Sequence, residues 1–231
     1  MKNIYEDGTY VHANPTWHEE DSPWKAKQIA KIIKRNNLNP STIFEIGCGA
    51  GEILNRLQTE FDDRVTFVGY EISPQAFEIC KRKNKSNLKF LLKNYLDEEE
   101  VLADVILAID VFEHVEDYWG FLRKLREKAR HKIFHIPLDL SVQTILRGSP
   151  ILNSRSSWGH IHYFTKETAL ATLRDTGYEI LDYFYTRGSL ELPNRGWKSN
   201  LLKLPRELFF SISQDLTVRI LGGFSLLVLT K

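Results

Sequence analysis

The stretch IFEIGCGAGEIL, residues Ile43–Leu54, joins an apolar strand pattern to three glycines and the start of a helical pattern. Gly47, Gly49 and Gly51 follow shortly after the carboxylate of Glu45. A glycine-rich turn directly after an apolar strand indicates that a ligand approaches the backbone closely, because glycine has no side chain to obstruct it. We therefore predict a ligand site at this turn.

The charges around the turn indicate which ligand fits. A dinucleotide-binding turn reads G-x-G-x-x-G, whereas Glu52 stands where the third glycine of that motif would be. Carboxylates at Glu45 and Glu52 would repel a pyrophosphate at the start of a helix. Glu71 follows Gly51 by 20 residues, where an acidic side chain can accept hydrogen bonds from both ribose hydroxyls. A nucleoside that lacks phosphate and carries a cationic group, S-adenosylmethionine, fits this pattern.

Strand and helix patterns alternate on both sides of the turn. Strands are predicted at Thr42–Ile46, Val65–Ile72, Leu88–Leu92, Asp104–Ile109, Lys132–Ile136, Tyr178–Thr186 and Phe224–Thr230. Helical patterns of 10–15 residues between most of them predict an α/β fold, with a largely parallel sheet covered by helices on both faces.

Composition limits the class of protein. The 231 residues suit a single domain, and the net charge of +1 argues against a surface built for nucleic-acid phosphate. Cys48 and Cys80 offer no disulfide framework, which suits a reducing, cytoplasmic setting. The first ten residues lack the apolar core of a signal peptide, and the longest apolar run is too short to span a bilayer.

Three segments exceed a minimal α/β layout. Residues 1–40 form a helical arm rich in aromatic residues, and this arm can either close over the site as a lid or pack against the core. The insertions 137–164 and 187–223 follow strands and are rich in apolar residues, so we predict packed lids near the substrate side. The first insertion follows strand 5, beyond the carboxyl ends of the strands, where open α/β sheets bind ligands.

The segments EIGCGAG, VGYEIS and AIDVFEHVED together resemble the class I S-adenosylmethionine-dependent methyltransferases, closest to the small-molecule branch that includes ubiquinone-pathway O-methyltransferases. The resemblance runs from about Ser41 to Lys231, and its specific part is the half Thr42–Ile136. It implies a Rossmann-like seven-stranded sheet with strand order 3-2-1-4-5-7-6 and an antiparallel seventh strand.

The resemblance also implies which residues bind the cofactor. It places Glu71 on the ribose hydroxyls and Asp110 near the methionine amino group. An aspartate that often accepts from the adenine amino group is replaced here by Asn94, followed by Tyr95, and the asparagine carbonyl can accept the same bond. The residues implied to contact methionine and ribose are Glu45, Gly47, Gly49 and Gly51.

Candidate acceptor-side residues come from two segments. Glu113 and His114 match the EH pair that the family carries beside its substrate, although they could instead cap the following helix. His160 and His162 lie in GHIHYF at the end of the first insertion, and in an extended segment they point the same way. Either can serve as a general base near neutral pH.

Two other roles stay open for these histidines. The H-x-H spacing also suits metal ligands, with Glu113 or His114 as a third ligand, and simple loop packing is the third possibility. We predict the base and no metal. His135, inside strand 5, is expected to be a satisfied core residue.

These observations predict methyl transfer to an O- or N-nucleophile of a small or medium-sized acceptor. Methylation of adenine N6 or of a glutamine amide normally goes with an N/D-P-P-Y-type turn after strand 4. This sequence has IDVFEH at that position instead. A non-catalytic S-adenosylmethionine-binding regulatory protein is the main alternative. An NAD-dependent oxidoreductase is a further alternative. It is disfavoured because Glu52 stands where the dinucleotide-binding motif has its third glycine. The sequence predicts no oligomeric state.

Overall fold

A seven-stranded sheet forms the centre of the computed structural model, which describes residues 14, 16–17, 19–99, 102–192 and 203–231. Tyr10, His12 and His18 of the predicted arm, and residues 193–202 of the second insertion, lie outside the described residues. The strands are β1 (Thr42–Ile46), β2 (Thr66–Glu71), β3 (Leu88–Leu92), β4 (Ala103–Ile109), β5 (Ala129–Pro137), β6 (Ile180–Thr186) and β7 (Ser225–Thr230).

The strand order is β3-β2-β1-β4-β5-β7-β6. Strand β7 pairs antiparallel with both β5 and β6, and the other neighbouring pairs are parallel. The predicted fold class, strand order and direction of the seventh strand are therefore confirmed.

Helices cover both faces of the sheet. They are α1 (Ser22–Arg35), α2 (Glu52–Leu57), α3 (Pro74–Cys80), α4 (Tyr118–Arg126), α5 (Val142–Arg147), α6 (Ser149–Asn153), α7 (Lys166–Asp175), α8 (Gly188–Glu191), α9 (Lys203–Ile212) and α10 (Gln214–Leu221). Among the helices described, none has the length and hydropathy needed to cross a membrane.

Alternating strand residues supply two hydrophobic cores. On β4, Val105 and Leu107 belong to one buried cluster, while Ile106 and Ala108 belong to the other. Successive side chains of a strand point to opposite faces, so each cluster fills one side of the sheet. Helix α1 packs its isoleucines into the first cluster, which fixes this part of the predicted arm against the sheet.

Local capping sets several helix starts. The side chain of Asp117 accepts a hydrogen bond from the Gly120 amide at 2.9 Å, and Ser73 caps α3 in front of Pro74. These are the residue types that satisfy the unpaired amides of a first helical turn. Because Asp117 provides the cap of α4, Glu113 and His114 are not needed for that purpose. They lie instead in a separate 3-10 turn, Phe112–His114.

The parallel strands carry the site at their carboxyl ends. Chain segments leave β1, β2, β4 and β5 at the same edge of the sheet, as the parallel register requires. The segment 137–164 leaves this edge after β5 and forms α5, α6 and a π-helical turn, Ser154–Trp158. The glycine turn, the residues after β4 and this segment thus face one another.

Candidate cofactor and acceptor site

One cavity of about 1350 Å³ lies at the carboxyl ends of the central strands. Its wall combines the glycine turn after β1, the ends of β2, β4 and β5, helix α1, and the segment from α5 to Ile161. Ligand pockets typically measure roughly 300–1,000 Å³. The cavity is therefore large enough for a nucleoside-sized cofactor together with an acceptor.

Two glycines of the turn serve different purposes. Gly51 has a φ of +75°, and a Cβ atom there would lie 2.5 Å from the Phe90 ring, so this position permits close packing of the turn on β3. Gly49 has a φ of +53°, and a Cβ atom there would meet only the Trp17 ring, at 3.8 Å. The space beside Gly49 is open to the cavity, as a closely approaching ligand requires.

Glu71 ties the glycine turn to the end of β2. Its Oε2 accepts a hydrogen bond from the Gly49 amide at 2.7 Å, and its Oε1 accepts from the Ile72 and Ser73 amides at 2.8 and 2.7 Å. Burial raises the pKa of this carboxyl, although the three amides favour its ionised form. Each oxygen retains acceptor capacity beyond these bonds, so Glu71 can also accept from a ligand hydroxyl.

Glu45 has one unsatisfied carboxylate oxygen and lines the cavity. The residue is 1% exposed, and its Oε2 has no hydrogen-bond partner among the described residues. Burial raises the pKa of Glu45 well above its usual value, against the opposing charge of Lys25. A buried carboxylate without a donor is costly. A cationic group bound in the cavity would supply the missing partner.

Asp110 is the centre of a charged network. Its two oxygens contact Lys25 Nζ at 2.8 Å and His135 Nδ1 at 2.5 Å, and His135 Nε2 lies 2.8 Å from Thr186 Oγ1. Burial opposes ionisation of Asp110, but the His135 and Lys25 charges outweigh it and hold the pKa of Asp110 well below its usual value. Asp110 also adopts a φ of +54°, a strained conformation for a non-glycine residue, at the edge of the cavity.

Lys25 was not predicted from the sequence. Lys25 lies on α1. In the sequence, nothing distinguishes it from the other lysines of this helix, which are of the kind expected on a solvent-exposed side. The packing of α1 on the sheet is what brings Lys25 to Asp110. His135, expected as a satisfied core residue, is buried and doubly bonded but also lines the cavity.

His160 and Asp139 form a hydrogen-bonded pair in the cavity wall. His160 Nδ1 lies 2.6 Å from Asp139 Oδ2, and both residues line the cavity. Nδ1 donates to the carboxylate in this arrangement, which leaves Nε2 as the nitrogen that can accept a proton. Asp139 was missed, although it follows β5 as Asp110 follows β4, and the same positional rule would have found it.

His114 packs beside His160. The two ring centroids are 5.0 Å apart, and His114 Nδ1 lies 3.1 Å from the Gly159 carbonyl oxygen. Burial, together with the nearby His160, lowers the pKa of His114 to about 4. His114 is therefore neutral near pH 7.

Glu113 is buried beneath this histidine pair. It is 1% exposed, and neither carboxylate oxygen has a hydrogen-bond partner among the described residues. Burial and the charge of Asp110 raise its pKa well above the usual value. The potential ligand atoms of Glu113, His114 and His160 lie within 4.8 Å of one another, so the expected third metal ligand is present in space, but with one histidine of the H-x-H pair rather than both.

Three predicted residues do not line the cavity. His162 Nε2 lies 2.9 Å from the Val115 carbonyl oxygen, and its ring packs on Tyr118. Asn94 is exposed and caps a 3-10 turn by accepting from the Leu96 amide. Tyr95 is fully buried in the core, and its hydroxyl donates to the Lys128 carbonyl oxygen at 3.1 Å. Glu113, buried beside the histidine pair, does not line the cavity either, and the structure brings the remaining predicted site residues to it.

Comparison with known proteins agrees with this geometry. Residues 44–131 match a sequence family described as a methyltransferase domain. A 90-residue stretch is 30% identical to (S)-coclaurine N-methyltransferase of Thalictrum flavum subsp. glaucum, covering 37% of this chain and 25% of that protein. Methoxy mycolic acid synthase MmaA3 of Mycobacterium tuberculosis is 24% identical over 164 residues, covering 64% of this chain and 55% of its own length.

The fold is shared with solved structures. Magnesium protoporphyrin IX methyltransferase (ChlM) from Synechocystis PCC 6803, with bound SAH, superposes with a TM-score of 0.66 and 13% identity, covering 100% of this chain and 99% of that one. The chain spans about a quarter to about half the length of the curated relatives named above. Residues 44–131 thus match a methyltransferase domain, and the sheet order and the glycine turn with its acidic partners agree with that match.

Proposed function

We propose that the protein transfers a methyl group from S-adenosylmethionine to an oxygen or nitrogen nucleophile of a small or medium-sized acceptor. The observation that carries this proposal is the unpartnered Oε2 of the buried Glu45 carboxylate, in the same cavity as the open space at Gly49. A cationic ligand without phosphate satisfies that carboxylate, whereas a pyrophosphate would be repelled by it.

The charges of the cavity suit the amino-acid end of this cofactor. Glu45 and Asp110 are positioned to accept from an ammonium group, and Lys25 offers a buried cation for a carboxylate. Glu71 would accept from the ribose hydroxyls while it holds the glycine turn. Asn94 and Tyr95 are left out of this assignment because they lie outside the cavity.

When bound, S-adenosylmethionine supplies a sulfonium-linked methyl group that is open to in-line displacement. The chain contributes positioning and exclusion of water, which provide most of the acceleration in a reaction whose transition state disperses charge. Segment 137–164 and, from the arm, Trp17, Trp24 and Lys25 contribute to the walls of the cavity, and we assign both parts of the chain the role of packed lids. The Asn14 side chain donates to the Ser157 carbonyl oxygen at 2.8 Å and so links arm and insertion.

His160 is the proposed general base. The acceptor hydroxyl or ammonium proton passes to His160 Nε2 while Asp139 holds Nδ1 and fixes the ring orientation. His114, neutral near pH 7, forms the wall beside it. His162 contacts Val115 and Tyr118 instead, so we assign it a structural role.

The proposed class of acceptors is broader than the substrate of any one relative. The coclaurine and pavine enzymes among the relatives are N-methyltransferases, which makes an amine acceptor a natural first choice. A near-neutral net charge supports a metabolite rather than a nucleic acid, and two free buried cysteines support a reducing, cytoplasmic setting.

Calorimetric titration with S-adenosylmethionine and, separately, with NADH tests the proposal at the level of binding. We expect binding of S-adenosylmethionine and none of NADH. The reverse result would indicate an oxidoreductase. Consumption of S-adenosylmethionine is then measured against pooled metabolites. Binding without consumption in any pool would favour a regulatory, non-catalytic protein.

A further inference from the structure

Exposed apolar side chains lie on helix α5, which contributes to the cavity wall, and on helix α9. On α5 they are Val142, Ile145 and Leu146, and on α9 they are Leu204, Leu208 and Ile212; we call these six residues the apolar face. Leu146, Leu204 and Ile212 are 82%, 78% and 73% exposed. Single exposed leucines are ordinary, but a large group of them marks an interaction surface.

The two helices of the apolar face are joined through α10. Helix α5 packs against α10, and α10 packs against α9. Gln143 Nε2 and Arg206 Nη2 both donate to the Leu221 carbonyl oxygen, at 3.0 and 3.4 Å. Both helices are therefore anchored at the end of α10.

The spacing of the exposed residues is helical. Leu204, Leu208 and Ile212 repeat every four residues and therefore lie along one side of α9. Phe210, on a different side of the same helix, is 8% exposed and belongs to the core. The helix thus has two apolar sides, of which folding uses one.

The charge around the apolar face is positive. Residues 142–158 contain Arg147 and Arg155 and no acidic residue. Helix α9 adds Lys203 and Arg206 against the single acid Glu207. Apolar side chains flanked by basic ones favour an anionic lipid surface. A second copy of the chain is disfavoured, because twofold symmetry would bring the same cations together.

We propose that the apolar face docks on the surface of an anionic lipid bilayer, as a peripheral attachment. Helices α5 and α6 also carry the cavity-lining residues Thr144, Arg147 and Pro150. Docking through α5 would therefore hold the cavity next to the lipid. The attachment itself does not depend on the methyl-transfer activity proposed above.

Vesicle co-sedimentation tests the attachment, using phosphatidylcholine vesicles with and without phosphatidylglycerol. We expect the wild-type protein to bind vesicles that contain phosphatidylglycerol, and to bind less as salt is raised. The combined variant Leu204→Ser, Leu208→Ser, Ile212→Ser should lower the partition coefficient about tenfold or more. A second variant, Ile145→Ser with Leu146→Ser, should act in the same direction through α5.

Leu102→Ser is the matched control, because Leu102 is 64% exposed but lies before β4, away from these helices. Circular dichroism and calorimetric S-adenosylmethionine binding, both without vesicles, show whether each variant folds and whether the proposed function stands independently. No binding to either kind of vesicle would overturn the proposal, as would equal binding by wild type and both serine variants. A dimer in light scattering that the serine variants dissociate would assign the face to a second copy instead.

Discussion

The Glu71 carboxylate accepts a hydrogen bond from the Gly49 amide at 2.7 Å, so the acid that ends β2 holds the turn that follows β1. The sequence predicted both residues as ligand contacts but not this bond between them. Glu71 therefore acts twice, as a candidate partner of the ribose and as the residue that orders the turn against which the cofactor would lie.

We predict that Glu71→Ala weakens S-adenosylmethionine binding and lowers the stability of the fold without unfolding it, because the Gly49, Ile72 and Ser73 amides lose their acceptor. Loss of a hydrogen bond to a charged group costs roughly 1.5–3 kcal/mol, so the dissociation constant should rise roughly ten- to hundredfold. Calorimetry measures the affinity, and circular dichroism verifies the fold. Glu78→Ala is the control, since Glu78 is an exposed carboxylate on α3 that pairs with Lys81. An unchanged dissociation constant for Glu71→Ala would remove this residue from the site.

The two glycines of the turn should respond differently to substitution. Gly51→Ala should lower the melting temperature, because the new Cβ would lie 2.5 Å from Phe90. Gly49→Val has room toward the cavity and should chiefly abolish cofactor binding, with a stability cost of about 1–2 kcal/mol from its positive φ. Thermal unfolding and calorimetry on the same samples separate the two effects. Wild-type affinity in Gly49→Val would contradict the assignment of the turn.

Much of the fold was readable from the sequence because its signals are local. The bounds of β1 and β3 agree with the predicted Thr42–Ile46 and Leu88–Leu92, since apolar runs flanked by turn residues define them. Strand β5 begins three residues earlier than predicted, at Ala129. The three added residues, Ala129, Arg130 and His131, do not form an apolar run, and pairing with β4 rather than side-chain burial makes them part of the strand.

The site was less predictable where it depends on packing between distant segments. His160 and His162 were expected to point the same way in an extended segment, but the backbone amides of Ile161 and His162 both donate to the Glu113 carbonyl oxygen. This local turn sends His162 to Val115 while His160 faces the cavity. Tyr95 likewise follows β3 as the resemblance implies, yet its ring fills the core.

Glu113 should make the protein less stable as the pH rises. Its folded-state pKa is raised by burial, whereas an unfolded glutamate ionises near about 4.3. Above that pH the unfolded state loses the proton first, which costs up to about 1.4 kcal/mol of stability per pH unit until the folded pKa is reached. Below about pH 4 Glu113 is protonated in both the folded and the unfolded state, so the protein keeps the full stability that is lost at higher pH.

Glu113→Gln removes this titration, so its free energy of unfolding should rise relative to wild type between pH 4 and 8. Chemical denaturation of the cofactor-free protein at several pH values measures the difference. Glu116→Gln is the control, because Glu116 is an exposed carboxylate in the same segment. Parallel pH curves for wild type and Glu113→Gln would show that Glu113 is ionised in the folded protein.

His160→Gln should lower turnover roughly a hundred- to ten-thousand-fold, the usual effect of removing a general base. Cofactor affinity should be retained, because His160 belongs to the segment after β5, whereas the residues assigned to the cofactor follow β1, β2 and β4. Asp139→Asn should give a smaller loss, since it keeps the shape of the side chain but removes the charge that orients the ring. His162→Gln is the matched control and should retain wild-type turnover, and a loss there equal to that of His160→Gln would refute the assignment.

Treatment with a chelator distinguishes a general base at His160 from a metal site formed by Glu113, His114 and His160. Glu113 Oε1 and His114 Nε2 are 3.8 Å apart, and the potential ligand atoms of the three residues lie within 4.8 Å of one another, whereas ligands held 2.0–2.1 Å from a tetrahedral zinc ion lie about 3.4 Å apart, so the cluster would have to contract around an ion. The raised pKa of Glu113 disfavours metal binding, because this carboxyl must give up its proton before it can bind a cation.

We therefore expect turnover to survive dialysis against EDTA and to be unchanged by added Zn²⁺ or Mn²⁺. Elemental analysis of the purified protein should find no stoichiometric transition metal. Loss of activity with EDTA, and its return with one of these ions in wild type but not in Glu113→Gln, would establish a metal centre in place of the base.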